Sequence, residues 1–197
     1  MPERQAPCAD DALVLFSGGI DSAACAHLLS RTFNVACLHV DFGQAAAPFE
    51  RRAGEAIAHH VGASYRSILV RQNDTYGSGE ILGRNMFLTS AALLFGGLST
   101  GVIALGIHAG TTYYDCSRDF LNEIDGLISA QSDGRIRVLA PFIDWTKKDV
   151  FDYFSKAELP LELTYSCEAG TQPVCGECNS CLDRTLLQSS RSGAQSK

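Results

Sequence analysis

The chain has 197 residues, enough for one sizeable α/β core with a small appendage, and its 46% hydrophobic against 19% charged content excludes wholesale disorder. A net charge of −6 argues against broad electrostatic binding of nucleic acid, yet leaves room for a small anion held by local backbone N–H groups. No apolar run reaches the roughly 18 residues of a membrane span, and MPERQAPCADD lacks the layout of a secretory leader, so a cytoplasmic protein without a membrane partner is expected.

In chain order, ALVLF (12–16) predicts a strand followed by a helix near 21–31, and NVACLHVDF (34–42) a second strand followed by a helix near 48–61. SYRSILV is a short third run, residues 85–98 read as a well-buried helix, and GVIALGI (101–107) is a clear strand. A helix is expected over 118–130, a strand at RIRVLAP (135–141) and a helix over 147–157, where Thr146 and Asp149 have capping-box spacing. Continuous apolar strands separated by helices indicate an α/β fold with a parallel sheet covered on both faces. Such sheets bind ligands beyond the carboxyl ends of their strands, at the switch point. Residues 1–160 form the expected main domain, ELPLELTY marks its boundary, 161–187 form a small cysteine-rich segment, and QSSRSGAQSK (188–197) reads as a flexible tail.

SGGIDS falls where the first strand should hand over to the first helix. Glycines there permit positive φ and close approach of a ligand, and successive N–H groups with the positive end of a helix make an anion site. Ser17 and Ser22 add hydroxyls. Asp21 would repel a phosphate unless a cation such as Mg²⁺ lies between them; a helix-capping Asp has the same sequence signature. The stretch is neither a Walker A loop nor a GxGxxG turn.

Four of the eight cysteines, Cys167, Cys175, Cys178 and Cys181, crowd into fifteen residues, while Cys8, Cys25, Cys37 and Cys116 are scattered. Four thiolates suit a closed tetrahedral Zn²⁺ site with a structural role; an iron–sulfur cluster is the rival. Gly176 allows a tight path between the second and third cysteines.

SGGIDS resembles the SGGxDS loop of the N-type ATP pyrophosphatases. Together with SCEAGTQPVCGECNSCLDR, VDFGQ (40–44), GRNMFLTSAA (83–92) and LAPFIDWTKKD (139–149), it is similar to the 7-cyano-7-deazaguanine synthase family, in the family's order and from residue 12 to 187. The resemblance implies an adenine-nucleotide α-hydrolase-like fold, a homodimer, ATP with Mg²⁺, and a four-cysteine zinc. It implies ATP-dependent conversion of 7-carboxy-7-deazaguanine to the 7-cyano compound by adenylation and amide formation with ammonia. It also implies that Phe16, Ser17, Gly18, Gly19, Ile20, Asp21 and Ser22 hold the nucleotide, helped by Asp41, Gln44, Gly83, Arg84 and Asn85.

Each of the outlying residues has a plainer reading as well. Asp41 and Gln44 suit a turn ending a strand, Asn85 a helix cap, and Lys147 either charge neutralisation on phosphates or a solvated helix start. Arg84 suits the α-phosphate, His108 stands at a strand tip, and Asp115 belongs to a DC pair that the family shares; these last two are the candidates for the substrate. His39 is expected to be packed, and His59 and His60 to lie on the surface. Three departures fall on the substrate side: AAAPFERR displaces the basic residues after DFGQ, RQNDTYGSGEIL is short, and HAGTTYYDCSRDF replaces a DxSGYPDCR-type loop. A related deazapurine acid or another amine is therefore an alternative, as is a nucleotide-binding partner subunit without turnover.

Overall fold

The computed structural model describes residues 11–70, 76 and 79–194. Five strands form one sheet: β1 (Asp11–Leu15), β2 (Asn34–Asp41), β3 (Ser64–Leu69), β4 (Gly101–Ala104) and β5 (Ile136–Leu139). Their order is β3-β2-β1-β4-β5 and every pairing is parallel. Among the described residues six α-helices accompany them: α1 (Ile20–Leu29), α2 (Ala47–His60), α3 (Arg84–Phe95), α4 (Arg118–Gln131), α5 (Lys147–Lys156) and α6 (Asn179–Ala194).

Alternation along the central strand explains the two cores. Ala12 and Val14 of β1 pack with Ile20, Ala24, Ile57, Val150 and Phe154, so α1, α2 and α5 cover one face. Leu13 and Leu15 pack with Ala91, Ala92, Phe120, Ile124 and Ile128, so α3 and α4 cover the other. Both sides of β1 are thus buried, which is why ALVLF reads as an unbroken apolar run. Cys25 and Cys37 sit in the first core as small hydrophobes, and burial pushes the Cys37 thiol up to about 12.

Two expectations change. Helix α3 is not well buried: Asn85, Thr89, Ala91 and Ala92 are covered, whereas Leu82 just before it is 95% exposed and Leu94 is 73% exposed. An apolar composition around the whole helix reads as burial, but only one side meets the sheet. The end of the chain also differs, because α6 continues through residues 188–194 where composition reads as a tail. That stretch contains no proline, so a helix nucleated at Asn179 can propagate through it.

The far side of the sheet is pinned by Asp125 of α4. Its Oδ1 accepts from the Val138 backbone N–H of β5 at 2.7 Å and from Arg137 Nε at 2.9 Å. The Arg137 hydrogen bond leads the interactions that hold this carboxyl below its ordinary range. A depressed carboxyl stabilises the fold above the unfolded pKa of about 3.9 and loses that contribution as pH falls through the lower folded value. Asp125→Ala is therefore expected to lower Tm at pH 7 by roughly 2–4 °C, the shift expected for about 1 kcal/mol in a chain this size. Thermal melts should show the gap from the wild type narrowing below about pH 4; a gap independent of pH would contradict the charge-assisted bond.

Candidate functional site

The strand order reverses at β1, between β2 and β4, and SGGIDS stands over the carboxyl end of β1. Gly18 has φ +73, and a Cβ there would lie 2.5 Å from the backbone nitrogen of Gly54 in α2. Only glycine allows this close packing and left-handed turn together. Gly19 is the N-cap of α1 with extended backbone, and no side chain caps the helix. Asp21 is thus a first-turn residue rather than the cap. Ile20, Asp21 and Ser22, whose first-turn N–H groups have no intrahelical acceptor, line a cavity of about 870 Å³ together with Phe16, Ser17 and Gly19. Ser17 Oγ and Ser22 Oγ are 3.4 Å apart on the same rim.

Opposite the loop, Thr146 and Asp149 form the capping box expected from their spacing, which sets Lys147 at the first turn of α5. Lys147 Nζ reaches Asp21 Oδ2 at 2.5 Å. Asp21 Oδ1 is buried and has no hydrogen-bond partner among the described residues. An orphaned carboxylate oxygen beside open N–H donors fits a hard divalent cation shared with phosphate oxygens, so Asp21 is the residue that would hold Mg²⁺.

The other nucleotide candidates divide. Gln44 lines the cavity, but its amide is engaged locally: Oε1 accepts from Phe42 N at 2.9 Å, and Nε2 donates to Val40 O and Glu50 Oε2. Asp41 Oδ1 accepts from Gly43 N at 3.1 Å, the contact of a strand-ending turn, and Asp41 is outside the cavity lining. Gly83, with φ +75, is the N-cap of α3, and Arg84 and Asn85 line the cavity. Asp115 is outside the cavity lining: its Oδ2 accepts from Asn85 N at 3.1 Å, and its carbonyl oxygen accepts from Asn85 Nδ2 at 2.9 Å. Its neighbour Cys116 faces the cavity, with its thiol pushed up chiefly by burial. His108 lines the cavity as well, whereas His59 and His60 are exposed. His39 is 2% exposed and held between Ser67 and Glu50.

Some lining residues carried no local signal in the sequence. Glu50 reaches the cavity from α2, and Glu168 and Asp183 reach it from the C-terminal segment. Only the register of the helices against the sheet brings them there.

The four cysteines do come together, with all four sulfurs within 4.8 Å of one another and Cys175 Sγ 3.9 Å from Cys181 Sγ. Tetrahedral ligation at about 2.3 Å separates thiolates by about 3.8 Å, so the cluster fits one Zn²⁺ ion. Cys167 Sγ accepts from Cys175 N, and Cys175 Sγ accepts from Glu177 N and Cys178 N, each at 3.4 Å.

This segment is clasped to the SGGIDS loop. Tyr165 N donates to Gly18 O at 3.1 Å, and the Tyr165 ring stacks on Phe49 of α2 at 4.9 Å. Gly170, with φ +64, packs so closely that a Cβ would lie 2.1 Å from Ala45 O. Glu168 bridges Gly79 N and Ser180 Oγ, and Arg184 Nη2 donates to Leu161 O at 2.7 Å.

An uncapped helix at the switch point of a parallel sheet, walled by a four-cysteine segment, defines an α/β protein whose cavity suits an anion and whose cysteines suit a metal. The family model described as queuosine biosynthesis protein QueC matches residues 11–79 and 70–187, and the chain belongs to that family. A 7-cyano-7-deazaguanine synthase from Aquifex aeolicus is 31% identical over 89% of this chain and 94% of its own. One from Methanothermobacter thermautotrophicus is 27% identical over 88% of this chain and 91% of its own. A solved structure of a predicted subunit of a tRNA methyltransferase from Methanocaldococcus jannaschii shares the fold, with a TM-score of 0.52 over 74% of both chains at 16% identity.

Cys178→Ala should reduce the metal bound by purified protein to background, as measured by elemental analysis, and should lower Tm. Metal retained in the variant at the wild-type ratio would show that the cluster is not its site.

Proposed function

We propose that the protein converts 7-carboxy-7-deazaguanine to 7-cyano-7-deazaguanine in the cytoplasm, using ATP twice and ammonia once. The observation that carries this reading is the uncapped start of α1 beside Asp21, whose Oδ1 has no partner among the described residues while Oδ2 is paired with Lys147. N–H donors, a cation-seeking carboxylate and an ammonium on one rim suit a triphosphate that loses its β and γ phosphates.

In this reading the loop from Phe16 to Ser22 binds the phosphates, and Asp21 holds Mg²⁺, which supplies charge neutralisation between carboxylate and phosphate. Lys147 and Arg84 flank the α-phosphorus and stabilise charge as pyrophosphate leaves. The substrate carboxylate attacks that phosphorus, ammonia displaces AMP from the acyl carbon, and a second ATP-dependent round dehydrates the amide to the nitrile. The cavity is large enough for a nucleotide and a second small molecule together. Gly83 and Asn85 shape the entry to α3, while Gln44 and Asp41 hold the turn after β2. The four cysteines hold a structural Zn²⁺. No nucleic acid takes part, in keeping with the net charge of −6.

A second reading, a related deazapurine acid or a different amine, is favoured by one observation. Asp115, half of the DC pair shared with the family, spends its carboxylate on the Asn85 N–H and lies outside the cavity lining. Mass spectrometry of a reaction with ATP, Mg²⁺, ammonium and 7-carboxy-7-deazaguanine separates the two readings. AMP with the amide or nitrile is expected, with a drop of about 10²-fold or more in Asp21→Asn; intact ATP with this acid would reject the first reading.

The exposed apolar row on and before α3, including Leu82, Met86, Leu94 and Phe95, is proposed to be covered by a second copy of the chain. Light scattering of wild type should give the mass of a dimer. The double variant Leu82→Glu and Leu94→Glu should give a folded monomer, and a variant still dimeric would place the interface elsewhere.

A further inference from the structure

We propose that His108 is the base that takes the proton from the attacking amine, an assignment that rests on the adenylating reading above. His108 stands beyond the carboxyl end of β4, where its backbone bridges to Phe142 past β5. Its ring is largely enclosed, with the residue 9% exposed, yet it lines the cavity next to Asp21, Lys147 and Thr111.

The tautomer follows from one contact. His108 Nδ1 lies 2.7 Å from the carbonyl oxygen of Ala109. A carbonyl oxygen only accepts, so Nδ1 carries a proton and the lone pair of the neutral ring is on Nε2. Nε2 has no hydrogen-bond partner among the described residues; Asp21 Oδ2, 4.0 Å away, is beyond hydrogen-bond range and within ion-pair reach only of a protonated ring. That oxygen is already paired with Lys147 at 2.5 Å, which leaves Nε2 available to substrate.

His39 supplies the internal contrast. It is also buried at a strand end and lines the cavity, but both of its nitrogens are engaged, one by Ser67 and one by Glu50. Its ring is spent on joining β2, β3 and α2. The ring of His108 is anchored on one side only, and the anchored side is the one that fixes its tautomer.

In the first ATP-dependent round, the chemistry requires a base at one step and not at the other. Attack of a carboxylate on the α-phosphorus moves no proton. When ammonia or another amine attacks the acyl carbon, the new C–N bond leaves the nitrogen with a surplus proton. His108 Nε2 takes that proton as the C–O bond to the phosphate breaks, and the electron pair departs with AMP. The imidazolium then releases the proton to water, giving amide, AMP and one proton in balance.

Two rates on the same protein test this. Exchange of labelled pyrophosphate into ATP, dependent on the acid and run without ammonium, reports adenylation; amide formation with ammonium reports the second step. In His108→Gln and His108→Asn the ratio of amide formation to exchange is expected to fall by about 10²-fold or more, the usual contribution of a general base. A structural role, or a contact to phosphate, lowers both rates in proportion, and an unchanged ratio overturns the assignment. Wild-type protein without acid-dependent exchange would instead reject the adenylating reading, and this assignment would fall with it.

Discussion

A helix that begins without a cap sets the terms for everything around it. The donors at the start of α1 have no side chain to cap them, and their residues line the cavity over the sheet. Every neighbour respects that opening. Gly18 turns the chain flush against α2, and Gly106 brings β4 so near that a Cβ would sit 3.1 Å from the Asp21 carbonyl. Asp21 then projects among groups of opposite character: an ammonium at 2.5 Å on one side and backbone donors on the other. An anion and a cation entering together would satisfy both the uncapped N–H groups and the unpaired Asp21 Oδ1.

Much of this was legible from residue order. The two cores share β1, so its apolar run could only be a central strand, and the turn chemistry of SGGIDS could only follow it. Thr146 and Asp149 predicted their own capping box, and the cysteine spacing predicted its cluster. What escaped the sequence depends on which side of an element faces what. Asp115 reads as a substrate residue until α3 places the Asn85 N–H against it. Residues 188–194 read as a tail because a helix of Ser, Gln and Arg has no apolar pattern of its own. Glu50 and Glu168 were invisible as cavity residues, since nothing local marks a carboxylate that reaches its site from a distant element.

The two buried histidines illustrate the same limit at the scale of single atoms. Both follow apolar residues, and both are enclosed. Partner identity alone separates them: His39 closes a network across three elements, whereas His108 rests on a single carbonyl. Burial by itself would have assigned them the same role.

The clasp between Tyr165 and Gly18 has a consequence for how the chain is made. Residue 18 is synthesised long before residue 165, whose backbone N–H closes over it. The loop is therefore made first and completed later. Until that later segment is made, the SGGIDS stretch lacks the wall that closes the cavity.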